Sequence, residues 1–538
     1  MDVILRAAWC LVLGLEESDI SDSSNFFTEG GDSVTAMRLI SAARDRNVAL
    51  DTETIFNHPV LVDMANLCRP MEPDKDSEVD PRPVELDGGV VKACAEACGV
   101  QRDLIEDVIP PTDFQCYQFH QHIASGSFMI QTVFEISGAF DLDLLRQTWQ
   151  VLHDKNQILR TRLVKHNDEI LQVVVNDTIQ WGGGCGLADY KASDIDKRVG
   201  SGDPLFRYAI VTEGDRSFFV WTCHHAGFDG WTRRLIMDKL QKGHSDPTEL
   251  RSEPNGPTFR SFVEWSASQS DNKSKAAAFW KQYLAGYRLL ESIQPPTPDY
   301  VILSSSQFSR TIEMKKTAGT NSPFTLSTIG HAAWAVAVGS LWNVADVLFA
   351  TVKMGRQMAR DSALARVESI MGPMMAVSSV RVGLRKDLRV RDFLQQMQDQ
   401  LIATIPFEHE GYSALMDCFG VGAVLPGMID WHPLGSDIFS RTVQHRAPNG
   451  EVSYLKPRIE LSVNFTSNVS MLVDIYEHEH HLNLRVSYDA KIWEEKLIIK
   501  LVDTFSDIFA KMLFSKDSTV AELLLGGAVG TTRLKARL

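Results

Sequence analysis

Residues 224–231 read His-His-Ala-Gly-Phe-Asp-Gly-Trp and follow the apolar run Phe218-Phe219-Val220-Trp221. An apolar run of that length suits a buried strand, and an aspartate with two glycines suits the tight turn that must end it. The chain is therefore built to hold an imidazole at the end of a buried strand. Histidine is the side chain whose unperturbed pKa lies nearest neutrality, so an imidazole in a cleft can accept and return a proton at working pH. The same residues also suit a satisfied loop in which Asp229 caps and Gly230 turns the chain. This segment alone leaves both readings open.

A second chemically pointed segment lies upstream, at residues 25–33 (NFFTEGGDS). Gly30 and Gly31 leave backbone that another surface can approach closely, and a serine that opens a helix presents its hydroxyl to solvent. The competing reading is an ordinary N-cap serine. The flanks organise the segment: Val34, Met37, Leu39 and Ile40 continue as an amphipathic helix, and 52–64 (TETIFNHPVLVDM) reads as short helices. Ala7 to Leu15 reads as a first helix, because Asp2 and Arg6 precede it and Glu16-Glu17 follow, without the cleavage site of a signal peptide.

Residues 69–89 carry four prolines and many charges, the profile of an extended linker. Beyond it the periodicity alternates. Residues 90–109 suit helix and turn, 128–137 and 207–212 suit strands, and 142–153 places Leu142, Leu145, Trp149 and Leu152 on one helical face. A second such set follows, helical over 326–342 and strand-like over 347–352, 459–463 and 482–488, before a closing helix over 492–514. Two α/β layouts of comparable length predict two similar lobes. The 538 residues, 44% hydrophobic, allow three or four compact units at about 150 residues each.

The net charge of -15 argues against nucleic acid or an anionic membrane as partner. Eight cysteines without a CxxC pair read as reduced thiols, and no stretch reaches the roughly 18 apolar residues of a membrane span, so a cytoplasmic protein is expected. Sequons at Asn176, Asn464 and Asn468 are discounted for the same reason. The run 477–481 (EHEHH) reads as a solvated turn between strands rather than a metal site, since alternate strand residues face opposite ways; no metal is expected.

Residues 25–33 resemble the FFxxGGDS motif of peptidyl carrier proteins, and 224–230 resembles the HHxxxDG motif of nonribosomal peptide synthetase condensation domains, itself similar to the chloramphenicol acetyltransferase motif. Six further segments match the condensation family in order: 110–115 (PPTDFQ), 156–163 (NQILRTRL), 259–265 (FRSFVEW), Gly355-Arg356, 370–382 (IMGPMMAVSSVRV) and 405–409 (IPFEH). Gln157 stands where the family has glutamate and Ala376-Val377 where it has Asn-Thr, which predicts altered acceptor-side contacts. The resemblance implies a multidomain chain: a small all-α four-helix carrier over 1–70, a linker over 71–95, and an α/β condensation domain of two chloramphenicol-acetyltransferase-like lobes in a V. The lobes are expected over 96–270 and 271–520, with a tail over 521–538.

It also implies roles. Ser33 would carry 4'-phosphopantetheine, installed by a phosphopantetheinyl transferase. His225 would be the catalytic histidine, with His224 as its structural neighbour in the catalytic turn, and Asp229 would pair with Arg356 to hold that turn. Gly230 would turn an N–H toward the developing oxyanion. The reaction would be attack of an amine or hydroxyl on a carrier-bound acyl or peptidyl thioester, with upstream synthetase modules as partners. The short tail after 514 and the fungal-like pattern suggest terminal release by cyclisation. Internal elongation, an epimerase-like domain, a non-catalytic platform and a coenzyme-A-dependent acyltransferase are the alternatives.

Overall fold

The computed structural model describes residues 1–71, 87–297, 300–314, 322–356, 366–420, 423–434, 442–446, 451–463, 470–515 and 517–525. Helices α1 (Asp2–Leu13), α2 (Ser33–Arg44), α3 (Thr52–Asn57) and α4 (Leu61–Leu67) form the N-terminal unit. Leu5, Trp9, Leu39, Ile55 and Met64 are fully buried within it, and Trp9 meets Phe26 edge to face at 5.2 Å. The helix starts are written locally. Asp32 accepts the Thr35 N–H at 2.7 Å and Asp51 the Thr54 N–H at 2.7 Å, satisfying donors that a helix leaves orphaned.

Residues 72–86 of the expected linker lie outside the described residues, as do 526–538 of the expected tail. The end of the linker span is already helical. Asp87 accepts the Gly89 N–H at 2.6 Å and starts α5 (Gly88–Cys98), whose Cys94 and Cys98 pack on Val164, Val173 and Val175. The apolar stripe Val91-Cys94-Ala95-Cys98 is the physical reason that this stretch is docked rather than extended.

The first lobe contains β1 (Met129–Ser137), α6 (Leu142–Lys155), β2 (Trp181–Cys185), β3 (Phe206–Glu213), β4 (Arg216–His224) and α7 (Gly230–Ser245). The second begins with β5 (Ser306–Glu313), α8 (Leu326–Trp342), β6 (Asp346–Lys353), β7 (Ala376–Gly383) and β8 (Met428–His432). The chain then crosses back as β9 (Val443–Arg446) and β10 (Val452–Val463). It returns as β11 (Met471–Glu477), β12 (His481–Tyr488) and α9 (Glu495–Phe514). The two six-stranded sheets run β9-β10-β1-β4-β3-β2 and β5-β12-β11-β8-β6-β7. Pairing is antiparallel except between β2 and β3, β6 and β8, and β8 and β11.

The crossing ribbon departs from a simple split of the lobes at residue 270. Residues 443–446 and 452–463 fall within the second expected span, yet β10 pairs with β1 of the first sheet, from Tyr454 opposite Ser137 to Val463 opposite Ile130. The helix α8 is buried from Thr328 to Gly339, apolar on every side, as a helix enclosed between a sheet and α9 must be. Among the described residues no helix is long and apolar enough to cross a membrane.

Candidate active site

The turn after β4 is fixed by its neighbours on both lobes. His224 is fully buried at the strand end, directly opposite Met129 of β1. Its Nδ1 accepts the Ala226 N–H at 3.1 Å, and its ring meets that of His122 edge to face at 4.7 Å. His122 is itself anchored: its Nδ1 donates to the Ser127 carbonyl at 2.6 Å and its Nε2 accepts the Val199 N–H at 2.9 Å. Burial, then the adjacent His122 and His225 rings, push the His224 pKa far down, so this imidazole is neutral. It braces the turn.

His225 is only partly buried and lines a cavity of about 790 Å³. Its backbone N–H donates to Phe128 at 2.9 Å, and its ring stacks on Phe228 at 5.2 Å. Phe128 adopts φ +63°, a conformation rare for an aromatic residue and of the kind that collects at functional sites. Burial lowers the His225 pKa, while Asp229 and Asp430 pull the other way. Among the described residues its Nδ1 has no hydrogen-bond partner. Among the described residues no carboxylate hydrogen-bonds to that nitrogen, unlike the aspartate of a Ser-His-Asp triad.

Asp229 is held by four donors. It accepts the Thr232 N–H and hydroxyl at 2.7 Å each, the Met374 N–H at 3.0 Å, and Arg356 Nη2 at 3.1 and 3.0 Å to its two oxygens. Arg356, fully buried, also donates to the Gly372 carbonyl at 3.0 Å. This node ties the start of α7 to the 372–374 segment of the other lobe. Gly355 before it has φ +68°, and a Cβ there would stand 1.6 Å from the Met374 carbonyl oxygen, so only glycine fits. Gly230, the first residue of α7, is exposed and lines the cavity.

The N-terminal unit reaches the same cavity. Gly30, Gly31, Asp32, Val34 and Thr35 line it together with His225 and Gly230. Arg44 at the end of α2 pairs with Glu368, whose carbonyl accepts Trp231 Nε1–H at 2.7 Å. Ser33 opens α2, a 12-residue helix, between Asp32 and Val34. The loop suits attachment of a phosphopantetheine: Gly30 has φ +100° with open space around a would-be Cβ, beside a helix N-terminus. Gly31 is needed for a different reason than arm access, since a Cβ there would lie 2.4 Å from the Phe26 ring.

Two features escaped the sequence reading. Asp430, His432 and Asp474 bring ligand-type atoms within 4.8 Å of one another. Arg485 already donates to Asp474 at 2.9 and 3.0 Å, so a cation occupies the role that a metal would take there. Lys353 lines the cavity near buried Glu408, whose pKa burial pushes up to about 8 against the pull of Lys353. The first converges from separate strands and belongs to no motif; in the second, Glu408 lies within the 405–409 segment, but nothing local pairs it with Lys353 of β6. Of the residues that depart from the family pattern, Gln157 donates to Glu106 at 2.8 Å and Ala376-Val377 are buried at the start of β7. The 477–481 run does form a turn between β11 and β12, with the His478 and His481 rings stacked at 4.5 Å.

Comparison with known proteins matches residues 105–533 to the condensation domain family and 3–68 to the phosphopantetheine attachment site family. The chain is 29% identical over 527 residues to the nonribosomal peptide synthetase atnA of Emericella nidulans, covering 96% of this chain and 7% of that one. It is 28% identical over 530 residues to the synthetase inpB of the same organism, covering 94% and 22%. The chain thus spans a small part of the length of these relatives. Among solved structures, the starter condensation domain of rhizomide synthetase RzmA superposes with a TM-score of 0.60 at 15% identity, covering 77% of this chain and 98% of that one.

Proposed function

Because the chain belongs to the condensation-domain family, with a phosphopantetheine attachment domain ahead of the condensation domain, we propose that it is a carrier-condensation didomain that forms a peptide bond at His225, in a terminal release that closes a ring. The observation that carries this reading is the shared cavity: the Gly30-Gly31-Asp32 loop around Ser33 and the His225 turn line one space. We assign the carrier to 1–70 and the lobes to 96–270 and 271–520, with β9 and β10 crossing between them.

The phosphopantetheine on Ser33 would present the acyl group as an activated thioester. Holding that group and its nucleophile in one cavity makes the transfer nearly unimolecular, worth up to about 7–11 kcal/mol of barrier. His225, kept neutral by burial, is set to take the proton from the attacking amine or hydroxyl. Asp229, saturated with donors, holds shape and moves no proton. The Gly230 N–H, at the first position of a 16-residue helix, offers the positive dipole end to the developing oxyanion. A phosphopantetheinyl transferase and upstream synthetase modules are the partners that this reading requires.

The test is to load Ser33 with candidate peptidyl-pantetheines and identify released products by mass spectrometry. A cyclic product, absent from His225→Ala, is expected. Product that appears only on an added acceptor carrier would replace cyclisation with elongation, and epimerised starting material without transfer would replace both.

A further inference from the structure

The cavity wall across from the catalytic turn carries an acid with no assigned role. Parallel pairing of β8 with β11 sets Asp430 directly beside Asp474, on the same face of the second sheet. The two carboxylates differ in what they already hold. Asp474 is 6% exposed and receives two hydrogen bonds from Arg485. Asp430 is 29% exposed, lines the cavity with His225, and has His432 Nε2 at 3.5 Å as its contact. Arg485 is therefore committed to Asp474, and His432 also leans on Asp474 at 3.7 Å and stacks on Tyr476 at 4.4 Å. The open side of Asp430 faces the space in which His225 must work, and the two groups are close enough that each perturbs the other's ionisation.

Resting on the acyl-transfer reading above, we propose that Asp430 is a positioning residue that receives the acceptor amine as an ammonium ion against His225. An α-amine with a pKa of about 7.7–8.0 is mostly an ammonium at neutral pH, so a site for it gains from an anion where a site for an alcohol does not. With the ammonium held there, neutral His225 takes one of its protons and leaves the nitrogen lone pair free. The imidazolium so formed faces the Asp430 carboxylate. A hydroxyl in the same place would supply no cation to the carboxylate, and the desolvated anion would count against it.

The groups facing Asp430 are His432 on its own strand, Asp474 from β11, Arg485 from β12 and His225 from the turn after β4. Burial and Asp474 raise the Asp430 pKa, while His432, His225 and Arg485 lower it; the net direction is upward. Lowering the pH therefore neutralises Asp430 sooner than an ordinary aspartate, and the preference for an amine must fade with it.

The test uses the full chain and two probes of equal shape, glycine N-methylamide and glycolic acid N-methylamide, with binding followed by ligand-observed NMR. The parent chain is expected to prefer the amine, Asp430→Asn to lose that preference by about tenfold, the difference made by one charge-assisted contact, and Asp430→Glu to recover part of it. The His225 ring protons should titrate at lower pH in Asp430→Asn than in the parent. Equal binding of the two probes by the parent, or a preference that Asp430→Asn leaves unchanged, overturns the inference. Should Asp430→Asn fail to fold, the parent decides alone: an amine preference that does not fade on acidification is equally fatal. These readouts need no turnover. A loaded His225→Ala chain that releases product at the parent rate would instead sink the acyl-transfer reading, whatever the probes show.

Discussion

Removing either member of the Asp229–Arg356 pair should unfold the interface between the lobes, and the two deletions should not be equal. Breaking a buried pair costs roughly 3–5 kcal/mol, because the survivor is left as an uncompensated charge. After Arg356→Ala, the Asp229 carboxylate keeps three donors, the Thr232 N–H and hydroxyl and the Met374 N–H. That places the loss near the lower end, about 3 kcal/mol. After Asp229→Ala, the buried guanidinium keeps the Gly372 carbonyl, the Met374 sulfur and the Thr232 hydroxyl, none of them anionic. The loss there approaches about 5 kcal/mol, with roughly 1 kcal/mol more for the missing N-cap of α7. Urea unfolding followed by tryptophan fluorescence measures both, and Arg356→Lys, which keeps charge without the planar fork, should fall between parent and Arg356→Ala. Two alanine variants with the same midpoint as the parent, or Arg356→Ala losing more than Asp229→Ala, would refute this account of the node.

Treatment with a phosphopantetheinyl transferase and coenzyme A should add one arm to the chain and none to Ser33→Ala, read by intact mass. His225→Ala should load normally yet form product about 10²-fold more slowly or worse, whereas His224→Ala should act mainly through a lower melting temperature. Reversing the charge at Arg44 alone should slow the single-turnover reaction in which the carrier acts in cis, and a second reversal at Glu368 should recover it; no recovery would mean that their contact does not guide docking. Burial holds His153, His244 and His409 down to about 4 and His331 to about 3. Their folded pKa values lie below the unfolded value of about 6.5, so the stability they contribute is complete above that pH and lost as the pH falls toward 4. The urea midpoint measured against pH should show that decline.

Much of the fold was legible because its elements are locally specified. The helix 326–342 coincides with α8, and the strands expected over 128–137, 207–212 and 482–488 match β1, β3 and β12 within a residue or two at each end. The carrier helices begin where Asp32 and Asp51 cap them. What the sequence did not disclose is long-range pairing. Nothing local in residues 443–463 distinguishes a strand of the second sheet from one that crosses to β1, since both want the same alternation of apolar and polar residues. The helix read from residue 90 is α5, which starts at Gly88, but the expected linker runs to 95, over its first turns. The proline-rich charge run before it obscures where a stripe only four apolar residues long begins.

The site divides along the same line. The 224–231 turn, Gly355-Arg356 and the 25–33 loop were readable because each packs its chemistry into a few consecutive residues, where turn geometry and glycine placement leave few alternatives. Asp430 belongs to no such segment. In the sequence Asp-Trp-His before a proline reads as the end of a half-buried strand, and period two says only that Asp430 and His432 share a face. Which face that is depends on β8 lying between β6 and β11. Once that pairing is given, Trp431 packs toward α9, where it meets Phe509 at 6.4 Å, and Asp430 takes the face that it shares with Asp474; both reach the cavity. A one-residue slip of β8 would exchange them, burying the carboxylate in an apolar core at a cost of several kcal/mol. The register that the core demands is thus what presents an anion to His225.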